Sequence, residues 1–415
     1  MNRKTFKTAL LPLAISLALG STAVSAEVLV QCPGDKDGSA DWGQPGETQP
    51  DGVKCMHLSA GDGFATMGDG TDRYIFSFAD VTGIPTKTKN DKDAMIQAGI
   101  LANEWPAPTI ELEEGQEFYL SLTNVGMLMR PDLFDPHTVH FHGFPQSSTV
   151  FDGLPESGLS IGMNATLTYY YKLNDPGTYM YHCHVEATEH MAMGMLGNLY
   201  IKAAQNKLPN NTDLNGFLHT DGKQYAYNDG DGSTYYDVEY PIQLGSFDSA
   251  FHDASENTQP LPFALMKDNY PMINGRGYPD TVDSNALPLP QALIGLKEGL
   301  ATTQPVSSLI TATAGEKILL RISNLAITRF YTLQSLGLPM KVVGKDAKLL
   351  RTADGLKDLY YTTNSVTVGG GESFDVILDT ADIAPGTYYL YSANLNYLSN
   401  DIEEHGGMMT EIVIN

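Results

Sequence analysis

The chain is predicted to be all-β and to fold as two sandwich or barrel domains, on three observations. Short runs rich in aromatic and β-branched residues recur along its length between clusters of Gly, Pro and Asp, the pattern of strands and tight turns. Amphipathic helix periodicity is scarce between those runs. Finally, 415 residues exceed what one hydrophobic core holds, even after the first 26 are set aside.

Taken in order, residues 1–26 read as a secretory signal peptide. Arg3, Lys4 and Lys7 precede an apolar run, and Val24, Ser25 and Ala26 form a small-residue cleavage site. The apolar run is too short to span a bilayer, no Cys follows the cut to take a lipid, and no later run is apolar for long enough to cross. A periplasmic or secreted protein with no membrane partner is therefore expected. Residues 27–72, rich in Gly, Asp and Pro, are expected to form an irregular N-terminal arm, with His57 at its surface.

Residues 73–204 read as the first domain. Its strand candidates are 74–80, 110–112, 117–123, 165–173 and 197–203, with two histidine-bearing strands among them. The Gly/Ser/Pro-rich stretch 143–162 is a long loop suited to cover a site or meet a substrate. Residues 205–216 read as a linker, and 217–415 as a second all-β domain with strands near 240–245, 317–323, 330–332, 340–343, 374–379 and 387–392.

The chain has 10 histidines, and six of them lie between positions 137 and 190. Alternate side chains of a strand point to opposite faces. His182 and His184 should thus share one face with Cys183 on the other, and His140 and His142 should share a face opposite His137. One side then collects Cys183 and His137, the other two His-x-His pairs. His190 and Met195 follow on a Gly-containing loop that can fold back to Cys183. A cysteine thiolate, two imidazoles and a thioether are the ligand set of a blue-copper electron-transfer centre. Singly, a Cys or a Met is more often a core residue, but the joint occurrence at ligand spacing makes that reading untenable here. The four remaining imidazoles would be wired to the sulfur through the bonds of His182, Cys183 and His184.

These residues resemble the multicopper oxidase superfamily. His137, His140, His142 and Gly143 are similar to its His-Pro-x-His-x-His-Gly segment, with Thr138 in place of Pro, and His182, Cys183, His184, His190 and Met195 to its His-Cys-His…His…Met end. The seven-residue step from Cys183 to His190 falls between those of laccases and of copper nitrite reductases. Residues 106–116 are similar to the entry strand of cupredoxin domains, and Ile273, Asn274 and Gly275, with the Pro-Gly-Thr-Tyr runs at 176–179 and 385–388, to further family motifs. The resemblance implies two cupredoxin-like Greek-key β-sandwich or barrel domains. It implies copper as cofactor, type 1 on His137, Cys183, His190 and Met195, and type 2 and/or type 3 on His140, His142, His182 and His184. It also implies oxygen as the electron acceptor.

After the second Pro-Gly-Thr-Tyr run comes Ser392-Ala393-Asn394, where the first leads to His182-Cys183-His184, so the second domain is expected to carry no type 1 copper. The family's cluster uses four His-x-His pairs and this chain supplies two. His219, His252 and His405 are unpaired, and His405 is a candidate ligand donated across a subunit interface of a homo-oligomer, a trimer in the manner of copper nitrite reductases. The leading reading is a two-domain multicopper oxidase, supported by the double His-x-His; the alternatives, second and third, are a nitrite-reductase-like enzyme and a non-catalytic copper-binding or electron-transfer protein. Against the second, His140 stands where that family has a catalytic Asp. The donor is left open among small molecules, metal ions and a redox protein.

A net charge of −24 excludes nucleic acid as a partner by repulsion. With Cys183 on copper, Cys32 and Cys55 remain as a disulfide pair suited to an oxidising compartment.

Overall fold

The computed structural model describes residues 30–36, 48, 50–86 and 89–415. The expected signal peptide lies outside the described residues. The first half of the chain forms β1 (Val53–Thr66), β2 (Asp72–Asp80), α1 (Lys89–Gly99), β3 (Ala107–Glu113), β4 (Glu117–Gly126), β5 (His140–His142), β6 (Thr166–Lys172), β7 (Gly177–His182), α2 (Ala187–Ala192) and β8 (Leu196–Lys202). The strands make two four-stranded sheets, ordered β2-β1-β4-β6 and β3-β8-β7-β5. Their inner faces enclose one apolar core that includes Leu58, Phe78, Leu120, Phe141, Tyr171 and Leu199, all fully buried. Two sheets face to face around such a core make a β-sandwich.

Two expectations for the N-terminal region are corrected. The stretch expected to be irregular contains β1, a 14-residue strand at the middle of its sheet, parallel to β4 and antiparallel to β2. Because β1 is covered on both faces it lacks the period-two alternation that marks a half-exposed strand. Gly61 is needed there, since a β-carbon would meet Gly126 O at 2.8 Å. His57, on this strand, is fully buried rather than exposed, and its Nε2 lies 2.7 Å from Thr123 Oγ1. Cys32 and Cys55 are joined as a disulfide with Cα atoms 6.1 Å apart.

The second half builds two further large sheets, besides two two-stranded ribbons between residues 213 and 236. One runs Tyr270–Ile273, Val238–Phe247, Lys317–Asn324, Ser373–Asp379, Met340–Lys345, with two short strands added at its edge. The other runs Ile310–Ala312, Met409–Ile414, Gly386–Ser392, Tyr331–Ser335, Ser365–Val368. They close on a separate apolar core that includes Leu244, Ile322, Leu333, Val376 and Leu390. The expected linker is packed, not free: Ala204–Lys207 form a helical turn, and buried Gln205 donates to Asp229 Oδ1 at 2.8 Å.

The halves interlock. A helix at Ser249–Glu256, which the sequence does not announce, is capped by Asp248 and inserts Phe251 into the first core. Its His252 is buried with Nδ1 2.6 Å from Tyr74 O and Nε2 3.1 Å from Ala192 O. A buried polar seam adds to this contact. Thr178 of β7 donates to Asp375 at 2.6 Å, and Ser373 donates to Thr178 O at 2.6 Å.

Candidate metal centre

Antiparallel pairing of β5 with β7 sets His140 opposite His182 and Phe141 opposite Tyr181. A register fixed by buried Phe141 and Tyr181 makes the facing histidines share the other side of the sheet, because a one-residue slip would turn the imidazoles into the apolar core and the aromatics out of it. β7 ends at His182, so Cys183 and His184 begin the turn into α2, with Glu186 held in the left-handed region at φ 43°.

Two groups of donors result. In the first, Cys183 Sγ lies 3.3 Å from His190 Nδ1 and 3.8 Å from His137 Nδ1, and all three residues are fully buried. Met195 is likewise buried; Cys183 N–H donates to Met195 O at 3.1 Å and Met195 N–H to His190 O at 2.9 Å, which brings the Met turn back over the cysteine. Two imidazole nitrogens trained on one sulfur fit a metal. With ligand bonds of about 2.0 Å to nitrogen and 2.3 Å to sulfur, donors around one trigonal ion sit about 3.7 Å apart. The electrostatics agree. Burial pushes the Cys183 thiol up, but His190 and His137 outweigh it and hold the group well below its ordinary value, as a thiolate. Burial likewise opposes a charge on His190, yet the Cys183 sulfur and Asp135 carry it to about 10. Asp135 Oδ2 stands 3.9 Å from His190 Nε2, on the solvent side of the group.

In the second group, ligand atoms of His140, His142 and His182 lie within 4.8 Å of one another. His140 Nδ1 is 2.6 Å from Asp152 O, and His182 Nδ1 is 2.8 Å from Cys183 O. Each ring therefore donates its Nδ1–H to a carbonyl and turns a lone pair on Nε2 inward, the tautomer a metal needs. His142 Nδ1 comes 3.3 Å from His182 Nε2. Burial, with repulsion from the neighbouring imidazoles, lowers His182 to about 3, and burial lowers His142 as well, so both rings are neutral. The His184 ring stands beside the group, 5.3 Å from that of His140.

These imidazoles open into a cavity of about 500 Å³ between the two halves of the chain. The second half contributes Leu325 to Phe330 with Gly370 and Gly371, none of which is a histidine, cysteine or carboxylate. Gly371 is close enough that a β-carbon there would come 2.8 Å from His142 Nε2. The donor set fits a metal held by three imidazoles. The four-pair histidine cluster is not furnished by the described residues of one chain. His219 bonds to Tyr225 OH, His252 to backbone carbonyls, and His405 is exposed and belongs to neither group. The wall at Leu325 to Phe330 was out of reach of sequence reasoning, because it meets the histidines only through the packing of distant segments.

Multicopper oxidase profiles match residues 85–206 and 248–414, together more than half of the chain. Among curated proteins, multicopper oxidase MmcO of Mycobacterium tuberculosis is 26% identical over 291 residues, which is 67% of this chain and 47% of that protein. Multicopper oxidase MCE of Talaromyces pinophilus is 30% identical over 126 residues, 29% of this chain and 19% of that one. The chain thus spans about half the length, or less, of the curated relatives it matches. Among solved structures, the blue copper oxidase of Nitrosomonas europaea superposes with a TM-score of 0.59 at 22% identity, covering 87% of this chain and 86% of that one. A copper nitrite reductase from the same organism gives 0.54 at 15% identity, covering 88% and 94%. At such identities these two likenesses establish the fold alone, that of paired cupredoxin-like domains.

Proposed function

The chain belongs to the multicopper oxidase family, and from that premise we propose that it is an exported copper-dependent oxidoreductase that draws electrons from a donor and delivers them to oxygen. His137, Cys183, His190 and Met195 would hold a type 1 copper, and His140, His142 and His182, with His184 beside them, the type 2 or type 3 copper. Bound copper would supply one-electron oxidation and reduction at both places. The observation that carries this reading is the back-to-back placement of adjacent residues, Cys183 in one donor group and His182 in the other.

The chain's own groups set the conditions. Burial of Cys183, His137 and His190 excludes water from the sulfur, so little has to rearrange when the charge there changes. Asp135, part-exposed and next in the chain to exposed Phe134, stands 3.9 Å from Nε2 of buried His190, and that is the face a donor would approach. The carbonyls of Asp152 and Cys183 hold protons on His140 and His182 at Nδ1, which keeps Nε2 free.

Export is supported by the leader-like first 26 residues and by the Cys32–Cys55 disulfide, and among the described residues no helix is long and apolar enough to cross a membrane. Three converging imidazoles, with no ligand from the facing wall, favour fewer coppers than the family's full cluster unless a neighbouring copy adds its own, with His405 the candidate donor. A nitrite-reductase-like activity or simple electron carriage are the outcomes that smaller count would leave. Oxygen uptake with a reducing donor, compared between copper-loaded and copper-stripped protein alongside copper per chain, tests the reading. Uptake that follows copper supports it; a fully loaded protein that consumes no oxygen sinks the oxidase assignment.

A further inference from the structure

We infer that Arg329 makes the four-imidazole cavity a binding site for a small planar oxyanion of the carboxylate type. The inference rests on reading that cavity as a copper site and adds to it a ligand class and the residue that selects it.

Arg329 is the only charged side chain, apart from the imidazoles, among the residues that line the cavity, and no carboxylate lines it. On a molecule of net charge −24 this is a local reversal of sign. Aspartates lie near the rings, Asp152 3.5 Å from His140 Nδ1 and Asp346 close enough to act on His142, but neither is part of the lining.

The described residues contain six arginines, and five are spoken for. Arg73 pairs with Asp253, Arg130 with Asp132, Arg321 with Glu239, and Arg351 with Asp231 and Asp358. Arg276 donates to four backbone carbonyls. The guanidinium of Arg329 has no hydrogen bond or ion pair to any described residue, and its Nε is buried without a partner. A buried guanidinium nitrogen with nothing to bond is costly unless a ligand completes it.

The loop that carries it is fixed. Asn324 at the end of its strand donates to Arg329 O at 3.3 Å and to Val368 O at 2.8 Å, and accepts from Ala326 N–H at 2.8 Å. Thr328 donates to Asp268 at 2.6 Å. In the first half Asn124 pins the loops around Asp135 and Ile161 in the same way, so the device is a repeat of the duplicated fold. The loop is thus ordered before any ligand arrives, and a guanidinium fork matches two coplanar anionic oxygens.

Formate is the probe, since it is planar and carries two oxygens. Its binding to the copper-loaded full chain is measured by isothermal titration and by the shift of the non-blue copper signal in electron paramagnetic resonance. Arg329→Gln should weaken formate by about tenfold or more, the scale of one lost charge-assisted pair. Arg329→Lys should fall between, and the blue absorption should not change in either variant. Heat that depends on Arg329 without a shift of the copper signal keeps the anion site and removes the metal from it. A shift of the copper signal that is equal in the wild type and Arg329→Gln overturns the anion site and leaves the metal reading standing. No formate binding to the wild type also overturns it.

Discussion

His182 and Cys183 are neighbours in the chain that serve opposite donor groups: His182 Nε2 lies 3.3 Å from His142 Nδ1, and Cys183 Sγ lies 3.3 Å from His190 Nδ1. Strand alternation at the end of β7 is enough to produce this. It leaves only the bonds between two adjacent residues separating the groups.

Asp135 places a carboxylate 3.9 Å from His190 Nε2. A negative charge there stabilises the more positive, oxidised state of a metal on His190, so Asp135→Asn should raise the reduction potential of the blue site by some tens of millivolts. Redox titration of the blue band measures it, and an unchanged or lowered potential would rule the electrostatic role out.

Gly371 sits at φ 86°, and a β-carbon on it would come 2.8 Å from His142 Nε2. Gly371→Ala should displace His142 and lower copper retention at the imidazole group, with the blue site intact. Copper per chain against blue absorbance reads this out: loss of both together would mean a general folding defect.

Asp375 is fully buried against Arg321, Thr178 and Tyr227. Asp375→Ala leaves a buried guanidinium short of a partner and breaks the link between β7 and the second half. It should destabilise the chain by about 3–5 kcal/mol. Urea unfolding checks the figure, and a cost below about 1 kcal/mol would show that Glu239 alone satisfies Arg321.

Burial lowers His57 to about 4 and His252 to about 4, the latter against the opposing carbonyls of Tyr74 and Ala192. Both folded values lie below the ordinary value of 6.5, so as pH falls below that value the unfolded chain takes up protons that the folded chain refuses. Their stabilisation is therefore complete above about pH 6.5 and declines toward about pH 4. Unfolding midpoints of metal-free protein at pH 7 and pH 5 should differ accordingly, and the difference should shrink in His57→Gln. Equal slopes would show that other groups govern the acid limb.

The histidine and cysteine pattern was legible because it depends on a period of two residues, which the chain itself displays. Strands such as 317–323 and 374–379 are legible for another reason: although buried on both faces, they are dense aliphatic and β-branched runs bounded by turn residues. β1 was not: buried on both faces and containing Gly61, Asp62 and Gly63, it reads as a loop until its partners β2 and β4 are known. The burial of His57 is hidden with it. The helix at Ser249–Glu256 is too short for its periodicity to stand out, and its value lies in Phe251 and His252 reaching the other half. Arg329 carries no sequence signal either, since only the approach of its loop to β5 and β7 gives it a role.

The central claim is a copper bound through Cys183, and the most direct measurement is the visible spectrum of the copper-loaded protein beside that of Cys183→Ser. An intense thiolate-to-copper band toward the red is predicted for the wild type. It should be absent in the variant while the far-ultraviolet circular dichroism of both stays the same. A colourless, fully loaded wild type, or a variant that keeps the band, would contradict the account.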